Sequence, residues 1–340
     1  MKHAVFLRII LLTVLSSAFS MQGCTDHEFI PEPVQFNSEE LASQLLTPFA
    51  VTKGAKDYLW FTEVGTGKND GRVSVVTPDG KVYPVFVNFT SDISEEEGLP
   101  DGLTHLTYKD GYLYIIQGIG GLLYKVDVSN YKPGDPVIQA NTLSTENIGQ
   151  FVLDHDFIID TGASHLYNLT WGPDGDLFFA DAAANAIIRR KSSNGALTIF
   201  TEFPQLKNTA PVGPPMVDFV PTGITYDGTK FLVSSLSGFP FGEGNAAIYQ
   251  LGMDGKPAPY KTGFTALTDL VLTPSNKPLA IQFAKFALPD GFLPNTGKVV
   301  NEDGTTIMDT VMMPTDIERT GDKTYIIVSM AQNRIIKLTY

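Results

Sequence analysis

The chain has 340 residues, 43% hydrophobic and 18% charged, with a formal net charge of −13. That balance suits a folded globular protein and excludes a disordered one. No basic cluster is present to neutralise phosphates, which excludes nucleic-acid binding.

The first 23 residues read as an export signal. Lys2 and Arg8 give a positive start, and Ile9 to Phe19 is an apolar run too short for a comfortable membrane span. The segment ends in SMQGC, and Cys24 is the only cysteine. This stretch resembles a bacterial lipoprotein signal, whose processing acylates the cysteine after a small residue, here Gly23. Met21 and Gln22 depart from the usual pattern. The resemblance implies an exported, outer-membrane-anchored lipoprotein, periplasmic or surface-exposed, that meets the membrane only through its lipid. With Cys24 lipidated, no thiol remains for a disulfide. Loss of Lys2 and Arg8 takes the net charge from −13 to −15. Residues 24–37, with Pro31 and Pro33, read as a tether, and 38–340 as one domain.

Ser38 to Leu46 (SEELASQLL) is the best helical candidate. From there the chain repeats. Six segments run apolar strand, turn, apolar strand, loop, third strand. They open at PFAV (Pro48), PDGL (Pro100), LYNL (Leu166), PTGI (Pro221), LTDL (Leu267) and PTDI (Pro314). The second strands read LWFTE, LYIIQ, LFFAD, FLVSS, LAIQ and YIIVS. Asp-Gly and Gly-Asp turns punctuate the units and allow the positive φ of tight hairpins. Each unit has the length of a propeller blade. The expectation is an all-β, six-bladed propeller of four-stranded antiparallel blades. The last unit ends one strand short, and the segment before Pro48 can supply that strand and close the ring, removing exposed edges.

Asp174 and Asp176 in GPDGDLFF suggest a calcium loop. Such a loop needs an oxygen ligand two residues on, where Phe178 stands, so a tight turn is the better reading. There is no G-x-S-x-G elbow, no H-E-x-x-H, no cysteine pair and no Walker loop. Gly118 to Gly121 reads as a tight inter-strand loop, and Asp154 to Asp156 as a surface segment.

In a propeller, the links into each first strand and the loops after each second strand share one face. The longest loops, including LSGFPFGEGN and FAKFALPDGFLPNT, fall there, and loops on a rigid scaffold commonly carry binding. The last residues of the second strands, Glu63, Gln117, Asp181, Ser235, Gln282 and Ser329, are all polar. The third positions of the opening tetrads are Ala50, Gly102, Asn168, Gly223, Asp269 and Asp316. Together with Asp101 and His105 they predict a polar, acidic funnel, with Phe239, Phe241, Phe286 and Phe292 shaping its mouth. Any one of these groups can equally be a strand cap.

The stretches LYNLTWGPDGDLFFADAAANAIIRR, VPTGITYDGTKFLVSSLSGFPFGEGNAAIYQL and LTDLVLTPSNKPLA resemble the ScyD/ScyE-type propeller family over roughly Pro48 to Tyr340. That family has no firmly assigned activity, so the resemblance implies fold and export more than function. More distantly the chain is similar to NHL-repeat, SMP-30/gluconolactonase and strictosidine-synthase-like propellers. The lactonase resemblance implies a divalent metal at the funnel, held by a first-blade acid and by Asn or Asp in P-N-G and P-D-G strand starts. Here only Asp101 matches that pattern. A site can still be rebuilt from Glu63, Asn168, Asp269 and Asp316.

Three readings stand. The chain binds a small molecule or an envelope protein at the funnel, with no cofactor. Alternatively it is a hydrolase or lyase dependent on calcium, zinc or manganese. The third is a purely structural propeller serving an assembly. A monomer is expected.

Overall fold

The second strand of every repeat is apolar at nearly every position because each blade is covered on both faces. Side chains alternate across a strand, so neighbours in sequence enter different interfaces. Tyr325 and Ile327 pack with residues of the fifth blade, while Ile326 and Val328 pack with the first. The same division holds around the ring. Among the described residues the core is a circle of six apolar clusters, one between each pair of adjacent blades. Each large side chain buried there contributes roughly 1.5–3 kcal/mol.

The computed structural model describes residues 30–95 and 98–340. The signal segment, Cys24 and the first residues of the tether lie outside them. Glu32–Tyr340 forms one compact unit, a six-bladed propeller of mostly four-stranded antiparallel blades. The inner strands are Pro48–Lys53, Leu103–Lys109, Leu166–Trp171, Pro221–Tyr226, Leu267–Leu272 and Pro314–Gly321. Blade 1 gains a fifth strand, Ile138–Gln139, parallel to Val82–Phe89. The outer strand of blade 2 is only Thr145–Asn147. It leads into the single described α-helix, Ile148–Leu153, whose N-cap Asn147 accepts a bond from Gln150 N–H. No helix among the described residues is long and apolar enough to cross a membrane.

The ring closes as the repeat count requires. Asn37–Ala42 pairs antiparallel with Arg334–Thr339 and forms the outer strand of blade 6. This corrects the helix expected at Ser38 to Leu46. The last C-terminal strand offers an unpaired edge, and pairing with it outweighs a modest local helix preference. Glu39 and Glu40 face Lys337 and Arg334 across the pair at 3.8 and 3.4 Å. Packing also begins earlier than the expected end of the tether at residue 37. Phe36 is buried, its ring 5.5 Å from Tyr325 and 5.8 Å from Tyr340. Glu32 accepts a hydrogen bond from Thr273 Oγ1.

Blade 2 starts three residues later than its Pro100 motif suggests. The first residue of each inner strand faces the last of its second strand: Pro48 with Glu63, Leu166 with Asp181, Pro221 with Ser235, Leu267 with Gln282, Pro314 with Ser329. In blade 2 the residue opposite Gln117 is Leu103. The matching tetrad is therefore Leu103–Leu106, and its third position is His105, not Gly102. Pro100–Asp101 instead pairs with Asp92–Ile93 in a small separate ribbon.

Candidate metal centre at the propeller axis

All six inner strands break register at the same place, just after their first residue. A bulge strips backbone groups of ladder partners and re-aims side chains. The second-position threonines meet part of that demand. Thr104, Thr222 and Thr268 donate to the carbonyls of Leu166, Leu267 and Pro314 in the next blade, at 2.8–2.9 Å. Thr315 does the same to Phe49 and so ties blade 6 to blade 1. Where a lactonase-like pattern would place metal-binding Asn or Asp, this chain has inter-blade clamps.

The third positions turn to the axis. Ala50 and Gly223 bring no functional group; His105, Asn168, Asp269 and Asp316 bring four. Asn168 Nδ2 donates across the axis to Asp269 Oδ1 at 2.8 Å. The other Asp269 oxygen accepts from Ile317 N–H at 3.1 Å, and Asp316 Oδ2 accepts from Val51 N–H. His105, Asp269 and Asp316 are 3–4% exposed. One donor atom from each lies within 4.8 Å of the others.

The histidine is pre-set as a ligand. Its Nδ1 contacts the backbone carbonyl of Tyr167. A carbonyl only accepts, so Nδ1 carries the hydrogen and Nε2 is a bare lone pair. Nε2 is buried, has no hydrogen-bond partner, and stands 3.7 Å from Asp316 Oδ1, too far for a hydrogen bond. Burial pushes the imidazole down to about 3, so it is neutral at physiological pH. Burial lifts Asp269 to about 6, and burial plus the neighbouring Asp269 charge lifts Asp316 well above the carboxylate range. A neutral imidazole lone pair facing two acids that resist ionisation suits a cation, whose charge would reverse both penalties. One nitrogen and two carboxylates favour zinc or manganese over calcium, which prefers an all-oxygen shell.

Two aromatic residues in the second position cover this cluster. Phe49 and Tyr167 are half-buried, with ring centroids 5.5 and 5.1 Å from the imidazole and 5.4 Å from each other. Glu318, two residues beyond Asp316 on the same face of the strand, is pushed up by burial. Neither the two rings nor Glu318 carries a repeat signature in sequence.

The other expected funnel residues serve the scaffold. Glu63 is fully buried and accepts from Arg72 through both oxygens, from Ser74 and from Leu46 N–H. Asp181 accepts from Ser164, His165 N–H and Ala184 N–H. Gln117 and Gln282 donate to the loop carbonyls of Thr90 and Thr296, Ser235 bonds Ala247, and Ser329 donates to Met312. The polar ends of the second strands hold loops. The Asp101 carboxylate meets His165 Nε2 at 3.0 Å near the mouth, away from the axial set. Asp174 and Gly175 occupy a turn with φ of +59° and +72°. Asp176 is spent on Arg189 and on Ser192 N–H. The four mouth phenylalanines do come together: Phe241 lies 5.1 Å from Phe286 and 5.0 Å from Phe292, and Phe239 is 5.9 Å from Phe286 and half-exposed.

No family model matches the sequence, and no curated protein matches it. Solved structures do. A gluconolactonase from Xanthomonas campestris superposes with a TM-score of 0.56 at 10% identity, covering 89% of each chain. A calcium-binding regucalcin from Agrobacterium tumefaciens gives 0.54 at 12% identity, covering 89% of this chain and 94% of that one. Virginiamycin B lyase from Staphylococcus aureus gives 0.53 at 15% identity, covering 90% and 100%. At such identities the likeness is one of fold: the chain shares the six-bladed scaffold of gluconolactonase-like and streptogramin-lyase propellers.

Proposed function

We propose that the protein is a divalent-metal-dependent hydrolase or lyase of small molecules, with the metal held by His105, Asp269 and Asp316. The observation that carries this reading is the bare, buried Nε2 of His105, aimed at two carboxylates that burial keeps from ionising freely. A bound divalent ion supplies Lewis acidity, or a water of lowered pKa. The chain's own residues do the rest. Tyr167 fixes the imidazole tautomer through its carbonyl, Asn168 orients Asp269, and the Phe49 and Tyr167 rings limit water at the centre. Metal content per chain, measured on untagged protein purified without chelator, is the test, followed by a lactone and ester screen. About one zinc or manganese per chain, lost together in His105→Ala, supports the reading. No metal after dialysis against millimolar divalent ions overturns it.

A second reading, binding without turnover of a small molecule or an envelope protein, draws on the phenylalanine mouth. Phe239 presents half its surface there beside loops that need no such residue for the blade core. Membership of the ScyD/ScyE-type family, export as a lipoprotein through Cys24, and a monomeric state belong to this same proposal. Labelled palmitate entering the wild-type chain but not Cys24→Ser would support the anchor.

A further inference from the structure

A groove between blades 2 and 3 has lost the plug that fills its neighbours. Between blades 1 and 2, Tyr131 lies 5.1 Å from Trp60 and leaves about 30 Å³. Between blades 3 and 4, Phe200 from a six-residue outer strand packs 5.0 Å from Phe178 and 5.7 Å from Phe231. The outer strand of blade 2 has three residues, Thr145–Asn147, and brings no aromatic side chain. The result is a cavity of about 340 Å³. Its lining includes Trp171, the last residue of the blade 3 inner strand, and Leu177, the first of the second strand. These sit at the end of the blade away from the Phe mouth, so the groove is separate from the axial cluster.

Its chemistry is specific. Tyr114 and Trp171 meet edge to face at 4.8 Å and form an apolar wall. The Trp171 Nε1–H is buried and has no acceptor. The Lys125 ammonium lies 4.5 Å from the Tyr112 ring centroid and makes no ion pair among the described residues, in a chain of net charge −13. Arg190 is held in place by Glu146 at 2.7 Å. The exposed Thr145 hydroxyl completes the rim, while Ser192 donates its own to the Asp174 carbonyl. The site offers an aromatic wall, an exposed hydroxyl and a cation without an ion-pair partner, in a volume at the lower end of ligand pockets. We infer that this groove binds a small acidic saccharide, a uronate of one or two rings. The ring packs on the wall, one of its oxygens accepts from the Thr145 hydroxyl, and its carboxylate faces Lys125.

The chain has two tryptophans, Trp60 and Trp171, so full-length Trp60→Phe reports on Trp171 fluorescence alone. Titration with digalacturonate should give a saturable change in the millimolar range, unaffected by chelator, with maltose giving at least tenfold weaker binding. Lys125→Met should weaken the uronate at least tenfold, and Thr145→Tyr, which refills the groove, should abolish binding. Saturation-transfer NMR on the wild-type chain makes the same comparison with no tryptophan replaced. No uronate binding, equal binding of maltose, or an unchanged Lys125→Met affinity overturns the inference. Because the groove needs no metal, its failure and that of the axial site are read separately.

Discussion

Replacing Asp316 by Asn separates a carboxylate pair waiting for a cation from one that only braces the scaffold. Asp316 accepts from Val51 N–H, lies against Asp269, and directs its other oxygen at the unpartnered Nε2 of His105. Asp316→Asn keeps an oxygen for Val51, removes the acid that repels Asp269, and supplies an N–H that satisfies Nε2 once the side chain closes the 3.7 Å gap. Satisfying one buried polar group contributes about 1–3 kcal/mol. Metal-free Asp316→Asn should therefore be more stable than wild type by that amount. Unfolding entropy of about 2.1 cal/mol/K per residue over roughly 310 packed residues converts it to a Tm rise of about 2–5 °C. Wild type, in turn, should gain about 2.7 kcal/mol, about 4 °C, from zinc or manganese at a hundred times its Kd, and the variant should gain nothing. Thermal unfolding followed by calorimetry, with chelator and with each ion, reads both effects. A variant less stable than wild type in chelator, with an unchanged response to the ions, would refute the reasoning and make Asp316 a brace between blades.

Glu63→Ala should cost about 3–5 kcal/mol, since it leaves Arg72 without its buried partner, while metal content stays at the wild-type level; urea unfolding and metal analysis together check this. Acid should destabilise the metal-free protein through His105. Its folded value lies below the unfolded one, so its contribution is complete above about pH 6.5 and is lost as pH falls towards 3. The loss approaches roughly 5 kcal/mol, and unfolding curves between pH 7 and pH 4 should show a shallower decline in His105→Asn. Asp269 acts oppositely, its contribution falling as pH rises through about 6, so added cation should stabilise most on the alkaline side of that value. Deleting residues 25–43 should open blade 6 and drive association, because the Arg334–Thr339 edge is uncovered; size-exclusion chromatography would show a monomer if the strand were dispensable.

Much of this molecule is legible along the chain. Continuous apolar strands, Asp-Gly turns and six recurring openings determine a propeller, because a blade buried on both faces demands that pattern. The missing last strand likewise demands a donor from the N-terminus. Asn168, Asp269 and Asp316 stand at the third positions of their opening tetrads, where the repeat itself marks them. His105 entered the expected funnel by proximity, but its place in the axial ring was hidden, because Pro100–Leu103 imitates the opening motif and only strand pairing shows that blade 2 begins at Leu103. Polar residues after apolar strands look alike in sequence whether they face a channel or hold a loop. Glu63 and Asp181 took the second role once Arg72 and Ala184 N–H came within reach. Tertiary structure alone decided the tautomer of His105, set by the Tyr167 carbonyl 62 residues away. It also decided that the groove beside Trp171 stays open. Both depend on what neighbouring blades bring to a shared space, and no local pattern encodes that.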